Sequence, residues 1–321
     1  MFYYFAPMEG VTTYIFRNLH AEMFPGFDKY FAPFIGATQE VKLKPKELKD
    51  IIPENNKDLY LVPQLLSNDA SSFIMAAKQI KDLGYKEINL NLGCPSGTVS
   101  SKYRGSGFLQ IPDALDAFLD RIYSETDIFI SIKTRIGMSD PSEFERLLSI
   151  YSKYPISELI IHPRLRDDLY KNAPNLEVFA DTYNKYTAPL GYNGDINTPS
   201  DFNYIADRFP NIDSVMIGRG CIANPGLISH IQHGIPVPFE KFREFHNRIY
   251  SQYKAIYYGD KVIMHRMKEL WFYFAPMFPE GRKLIKKIMK AQTCADYDNA
   301  VSSLFVSGLF DPSAGFTQLK I

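Results

Sequence analysis

A chain of 321 residues with 45% hydrophobic content can bury a core as large as a barrel of about 250 residues and still carry a small appended domain. Its 36 Lys+Arg balance 36 Asp+Glu, so net charge alone does not point to nucleic acid; the three scattered cysteines argue against both a disulfide framework and a zinc site. No run of about 20 apolar residues is present to span a membrane, and Met1-Phe2-Tyr3-Tyr4-Phe5 lacks the features of a signal peptide, which predicts a cytoplasmic protein.

The first apolar run, over 2–7, predicts a strand, followed by the loop Met8-Glu9-Gly10-Val11-Thr12-Thr13 and an amphipathic helix over 14–23. A second short strand falls at 30–34, and the lysine-rich stretch beyond it, broken by Pro45 and Pro53, predicts an irregular crossover. The third strand, over 59–66, ends on Gln64-Leu65-Leu66, and Ser67-Asn68-Asp69 caps a helix through Leu83. The fourth strand, Ile88-Asn89-Leu90-Asn91-Leu92, runs into Gly93-Cys94-Pro95, and the long loop 96–107 is either a site element or a lid. Pro112 introduces a helix to Tyr123, and a fifth strand over 128–133 ends on Lys133. After a helix opened by Asp140-Pro141, a sixth strand over 158–162 ends on His162. A helix over 176–186 leads to a seventh strand, 189–192, ending at Asn193-Gly194-Asp195. A helix from Thr198 to Arg208 leads to the eighth, 214–217, ending at Gly218-Arg219-Gly220.

Strands each followed by a crossover, with the chemically interesting residues spread over most strand ends, predict an α/β fold of the (β/α)8 TIM-barrel class over 1–235. A doubly wound sheet would concentrate its site at one switch point. Beyond Pro236 and Pro238 the pattern turns helical, over 239–258, 261–274, 281–291 and 297–305, so 236–321 predicts a small all-helical domain. That segment holds 13 Lys+Arg against 8 Asp+Glu, whereas the remainder holds 23 against 28. Much of the excess lies in Arg282, Lys283, Lys286, Lys287 and Lys290, spaced to share one helix face, where a solvated face and an RNA-binding face are both consistent with the pattern.

Cys94 stands where a buried strand opens into a tight turn between Gly93 and Pro95. A packed thiol and a reactive one both fit, and the strand-end position favours the reactive one. Cys221 and Cys294 read as packing. Lys133 ends an apolar strand, where a lone cation needs an anion unless it snorkels to the rim. His162 ends the adjacent strand; alone it fits a core histidine, and beside Lys133 and Cys94 it fits a site. The Asn193-Gly194-Asp195 and Gly218-Arg219-Gly220 loops close strands seven and eight, where such barrels often hold phosphate, with glycines admitting backbone N–H groups and Arg219 supplying a fork. Turn chemistry accounts for either loop alone, and the pair favours a phosphate-bearing cofactor.

Several motifs follow one another in order: Ala6-Pro7-Met8-Glu9-Gly10-Val11-Thr12 with Phe16-Arg17, Pro63-Gln64-Leu65, Asn91-Leu92-Gly93-Cys94-Pro95-Ser96, and Lys133-Thr134-Arg135-Ile136-Gly137. His162 with Arg164, Asn193-Gly194-Asp195-Ile196 and Ile217-Gly218-Arg219-Gly220 complete the set. In this order the chain resembles the tRNA-dihydrouridine synthases, flavin enzymes of the (β/α)8 class with a helical C-terminal domain; Pro163 departs from the glycine common there. The resemblance implies FMN, reduced by NADPH, and a uridine of tRNA splayed into the pocket. It implies hydride delivery to C6 and a proton to C5 from Cys94, whose thiol, ordinarily of pKa about 8.5, is mostly protonated near neutrality. Lys133 and His162 would stabilise the flavin, Gln64 would bond its ring, and Pro7 and Met8 would line its edge. Asn193, Gly194, Asp195, Gly218 and Arg219 would hold its phosphate. Asn91 would position flavin or uracil. Arg135, Arg266, Lys283, Lys286 and Lys287 would meet the RNA, with Arg282, Lys290 and Lys268 beside them. No metal and no stable protein partner are expected. The alternatives are a flavin barrel reducing a free pyrimidine or enone, and a non-catalytic RNA-binding protein.

Overall fold

A computed structural model describes residues 1–37 and 43–318. Part of the lysine-rich crossover and the last three residues of the 236–321 segment therefore lie outside the described residues. By compactness the chain divides into two units. The first comprises Met1–Pro7, Asp28–Asp195 and Ala206–Met216; the second comprises Met8–Phe27, Ile196–Ile205 and the chain from Ile217 onward. This division does not follow a single cut at Pro236.

The first unit is built on ten parallel strand segments: β1 (Phe2–Phe5), β2 (Lys29–Phe31), β3 (Ile35–Gly36), β4 (Leu61–Val62), β5 (Gln64–Leu66), β6 (Glu87–Leu92), β7 (Phe129–Arg135), β8 (Leu159–His162), β9 (Leu190–Asn193) and β10 (Ser214–Ile217). Their order is β3-β5-β6-β7-β8-β9-β10-β1-β2-β4. Pro63 alone separates β4 from β5, because proline has no N–H for the ladder. Ala32-Pro33-Phe34 likewise interrupts the stave made by β2 and β3. The sheet order thus begins and ends on halves of the same two staves, and the sheet closes into an eight-staved barrel. The Ala32 N–H donates to the Val62 carbonyl at 3.0 Å and the Asn89 N–H to that of Pro63 at 2.9 Å, carrying the pairing past the breaks.

Side chains alternate along each stave. Tyr4, Ala6, Phe31, Val62, Ile160 and Met216 form one buried apolar cluster, while β6 and β7 contribute Glu87, Asn89, Asn91 and Ser131 as buried polar groups. The crossovers supply α2 (Pro45–Ile51), α3 (Ala70–Asp82), α4 (Gly97–Ser100), α5 (Pro112–Glu125), α6 (Glu143–Tyr151), α7 (Leu176–Lys185) and α8 (Pro199–Arg208), after α1 (Tyr14–Met23) of the second unit. As predicted, a cap starts α3: the Asp69 carboxylate accepts from the Ser72 N–H at 2.8 Å.

The second unit continues with α9 (Arg219–Ala223), α10 (Leu227–His233), α11 (Phe239–Ile256), α12 (Asp260–Phe274), α13 (Arg282–Lys290) and α14 (Cys294–Phe305). Its aromatic core joins α1 to α11: the rings of Phe16 and Phe245 meet edge-on at 5.4 Å, and Arg248 forks onto Glu22 with two bonds of 2.7 Å. Among the described residues no helix is long and apolar enough to cross a membrane.

Candidate active site

The turn carrying Cys94 is held by Asn91. Its Oδ1 accepts from the N–H groups of Gly93 at 3.0 Å and Cys94 at 2.9 Å. Because those N–H groups can only donate, they fix the orientation of the amide, and the rest of a buried chain follows. Asn91 Nδ2 donates to Gln64 Oε1 at 2.7 Å, and Gln64 Nε2 donates to Asn89 Oδ1 at 2.7 Å. Asn89 Nδ2 then donates to Ser131 Oγ at 3.0 Å, which donates to Glu87 Oε1 at 3.0 Å. Lys29 closes the chain with an ion pair to Glu87 at 2.7 Å. Gln64 and Asn91, expected beside flavin or uracil, are thus first of all parts of the frame behind the cysteine. Asn89, Ser131 and Glu87 were not singled out from sequence, although the Glu-x-Asn-x-Asn alternation on β6 carries the signal.

From its other side the turn is gripped by the loop 96–107. Ser106 donates to the Cys94 carbonyl from its N–H at 3.1 Å and from its hydroxyl at 2.8 Å. Gly105, at φ +55°, is needed there: a Cβ would lie 2.9 Å from the Cys94 carbonyl oxygen and 3.0 Å from its Cβ. The loop therefore folds onto the turn, and Cys94 remains half-buried. Cys221 is fully buried in an apolar setting that raises its thiol pKa well above the ordinary value.

Lys133 pairs with Asn91 across β6 and β7, and Arg135 with His162 across β7 and β8. Arg135 is buried and engaged: Nε donates to the Gly93 carbonyl at 3.0 Å, and the two terminal nitrogens to Leu165 at 2.7 Å and Leu169 at 3.0 Å. Arg135, expected at the RNA, is engaged here as a clamp between the cysteine turn and the loop after β8. Lys133 differs. Among the described residues its ammonium has no hydrogen bond or ion pair, and burial, then the charge of Arg135, lowers its pKa to about 7, with Cys94 pulling the other way.

Past His162 the chain reverses in a three-residue turn, the Arg164 N–H donating to the His162 carbonyl at 2.7 Å. The fixed φ of Pro163 suits the centre of such a turn, which accounts for a proline at this position. Arg164 donates to His162 Nε2 at 3.1 Å; a guanidinium only donates, so the imidazole accepts there and carries its proton on Nδ1. The same guanidinium forks onto Asp195, whose backbone adopts φ +32°. Asp195, expected at phosphate, is a carboxylate engaged with Arg164. Asn193 Nδ2 donates to the Met216 carbonyl at 2.7 Å, and a Cβ on Gly194 would lie 2.9 Å from the Tyr192 hydroxyl.

In the second unit, the loop from Met8 is pinned by its own Thr12, whose hydroxyl accepts from the Met8 N–H at 2.8 Å. Arg17 donates to the Thr12 carbonyl at 2.7 Å, and Arg266 to that of Gly10 at 2.8 Å. Arg266, expected at the RNA, thus braces this loop, with Glu269 at 3.1 Å on its other side. Lys268 is half-buried on the same helix. Gly220 permits close backbone packing, since a Cβ there would lie 2.2 Å from the Ile196 carbonyl oxygen. On α13, Arg282, Lys283, Lys286, Lys287 and Lys290 are all exposed, with Ile285 and Ile288 buried behind them. None of the five forms an ion pair among the described residues.

The sequence matches the dihydrouridine synthase family over residues 4–304. The chain belongs to that family. Among its relatives, the tRNA-dihydrouridine synthase B of Proteus vulgaris is 27% identical over 280 residues, covering 82% of this chain and 85% of the relative. That of Escherichia coli K12 is 27% identical over 229 residues, covering 71% and 70%. The fold is similar to that of the old yellow enzyme from Trypanosoma cruzi, with TM-score 0.50 and 11% identity over 76% of this chain and 91% of the other.

Proposed function

We propose that the chain reduces the C5–C6 double bond of a uridine in tRNA to 5,6-dihydrouridine, with FMN as redox group, NADPH as reductant and Cys94 as proton donor. The observation that carries this reading is the rigidly framed Cys94 turn on the strand next to Lys133, a cation largely withdrawn from water with no anion of its own among the described residues. The activity named for the relatives, dihydrouridine synthesis in tRNA, supplies a reaction that needs both groups.

The donor set fits FMN. Lys133 lacks the negative charge that a flavin N1/O2 edge would bring, and Arg219 offers a planar fork for phosphate oxygens beside Gly218. Gln64, Lys133 and His162 take the ring, with Pro7 and Met8 along its edge. The loops Asn193-Gly194-Asp195 and Gly218-Arg219 take the phosphate, Asp195 acting through its backbone and its hold on Arg164.

When bound and reduced, the flavin supplies hydride to C6. The remaining steps belong to the protein. The Cys94 S–H bond breaks as a C5–H bond forms, so uracil gains two electrons and two hydrogens while NADPH is oxidised. Lys133, when protonated, favours the thiolate left at Cys94, the counterpart of that thiolate's upward pull on the lysine. Solvent then returns the proton. The frame of Asn91, Ser106 and Arg135 confines the turn during transfer, which limits the entropy lost in reaching the reactive geometry.

The exposed face of α13 supplies phosphate contacts for the RNA, while the uridine leaves its stack to react. Mapping dihydrouridine in RNA from cells with and without this protein tests the reading. Loss at a defined tRNA position is the expected result. Unchanged dihydrouridine at every position would overturn it and favour a free small molecule as substrate.

A further inference from the structure

Resting on the assignment of Arg219 to the FMN phosphate, we propose that Phe316 is a positioning residue for it, delivered by the segment 311–316 that follows α14. The guanidinium carbon of Arg219 lies 5.2 Å from the centroid of the Phe316 ring. A guanidinium covered on its face keeps its N–H donors in the plane, directed outward where a phosphate fork would need them. Such a contact restricts the orientation of the guanidinium plane, which is what a positioning residue supplies.

The segment is held in place at several points. The Asp311 N–H donates to the Met277 carbonyl at 2.8 Å. The buried Asn224 donates from Nδ2 to the carbonyls of Pro312 at 3.1 Å and Ala314 at 3.4 Å. Gly315 passes so close to Asn197 that a Cβ would lie 2.6 Å from the Asn197 carbonyl oxygen. Phe316 is 8% exposed, its ring 6.0 Å from that of Phe272 and 5.6 Å from that of Tyr273 on α12. A phenylalanine held so firmly is a rigid platform rather than a passing contact. Asn224 follows α9, the helix that Arg219 opens, so the same short stretch of chain both carries the arginine and anchors its platform.

The test is the preference of the protein for FMN over riboflavin, which differ only in the phosphate. Flavin release from the holoprotein and rebinding of each flavin would be followed by fluorescence. Phe316→Leu keeps the apolar packing and removes the aromatic face; it should weaken FMN binding about 5- to 30-fold with riboflavin unchanged. Phe316→Tyr should restore the preference. Gly315→Ala, which displaces the platform without altering it, should lower the preference in the same direction and serves if Phe316→Leu does not fold. An equal loss of both flavins in Phe316→Leu would reduce Phe316 to packing and overturn the proposal. So would an unchanged preference in Phe316→Leu when Arg219→Ala lowers it. An unchanged preference in Arg219→Ala itself would instead remove the phosphate assignment on which the proposal rests.

Discussion

Lys133 and the basic face of α13 both hold cations with no carboxylate partner among the described residues, and water treats them differently. Lys133 sits two residues before the end of β7, half-buried, where burial brings its pKa to about 7. The five cations of α13 stand in water, each exposed. The charge of the first is therefore set by pH, and the pull of the second by salt, since exposed charges are screened beyond about 8–10 Å. A cluster tuned by proton occupancy suits a chemical step, whereas one tuned by ionic strength suits the capture of a polyanion.

The largest expected effect breaks the first region alone. Cys94→Ala should lower the rate of uridine reduction by about 10²–10⁴-fold, the range for loss of a general acid. Flavin content, NADPH oxidation and tRNA affinity should stay near wild type. Turnover surviving in this variant would require another proton donor. The complementary variant, Lys283→Gln with Lys286→Gln and Lys287→Gln, should weaken tRNA binding and reduce the slope of log affinity against log salt by roughly 2–3. Single-turnover reduction of saturating tRNA should be unchanged; an unaltered salt slope would remove α13 from the docking surface.

The smallest effect sharpens the contrast, because it concerns stability and depends on pH. The folded-state pKa of Lys133 is depressed from 10.5 to about 7. Below 7 the lysine is charged in both states and its desolvation weighs fully on the fold. Between 7 and 10.5 the unfolded chain binds the extra proton, so this group makes stability rise with pH through that window. Lys133→Met should therefore stabilise the flavin-free protein by about 1–3 kcal/mol below pH 7, with a gain that fades as the pH climbs. Denaturant titrations at pH 6 and pH 9 check this, and a gain that grew with pH would contradict the assignment.

Much of this was legible in sequence wherever a signal is local. The apolar runs marked the staves, the eighth to its end residues, and the 14–23 helix matches α1. The cysteine turn and the basic face of α13 were visible because a turn and a helical stripe are written in neighbouring residues. The short helices α9 and α10 were missed, since five and seven residues hold too little of a 3.6 period to read. The hold of Arg135 on the carbonyls of Gly93, Leu165 and Leu169 is not legible from a fifth strand ended at Lys133, since β7 runs two residues further. The brace made by Arg266 is equally hidden, as its acceptor, the Gly10 carbonyl, lies 256 residues away. Such long-range bonds have no periodicity to announce them.

The inward row of Glu87, Asn89 and Asn91 has a further consequence, for folding fidelity. In a strand whose side chains alternate, a slip of one residue turns every side chain to the opposite face. Here a slipped β6 would set Ile88 and Leu90 against the amide of Gln64 and the hydroxyl of Ser131, leaving those groups without partners and driving three polar side chains into the apolar layer under the helices. Each orphaned buried group costs about 1–3 kcal/mol, so misthreaded barrels are disfavoured before any ligand arrives. The row that holds the thiol in place also counts its strand into register.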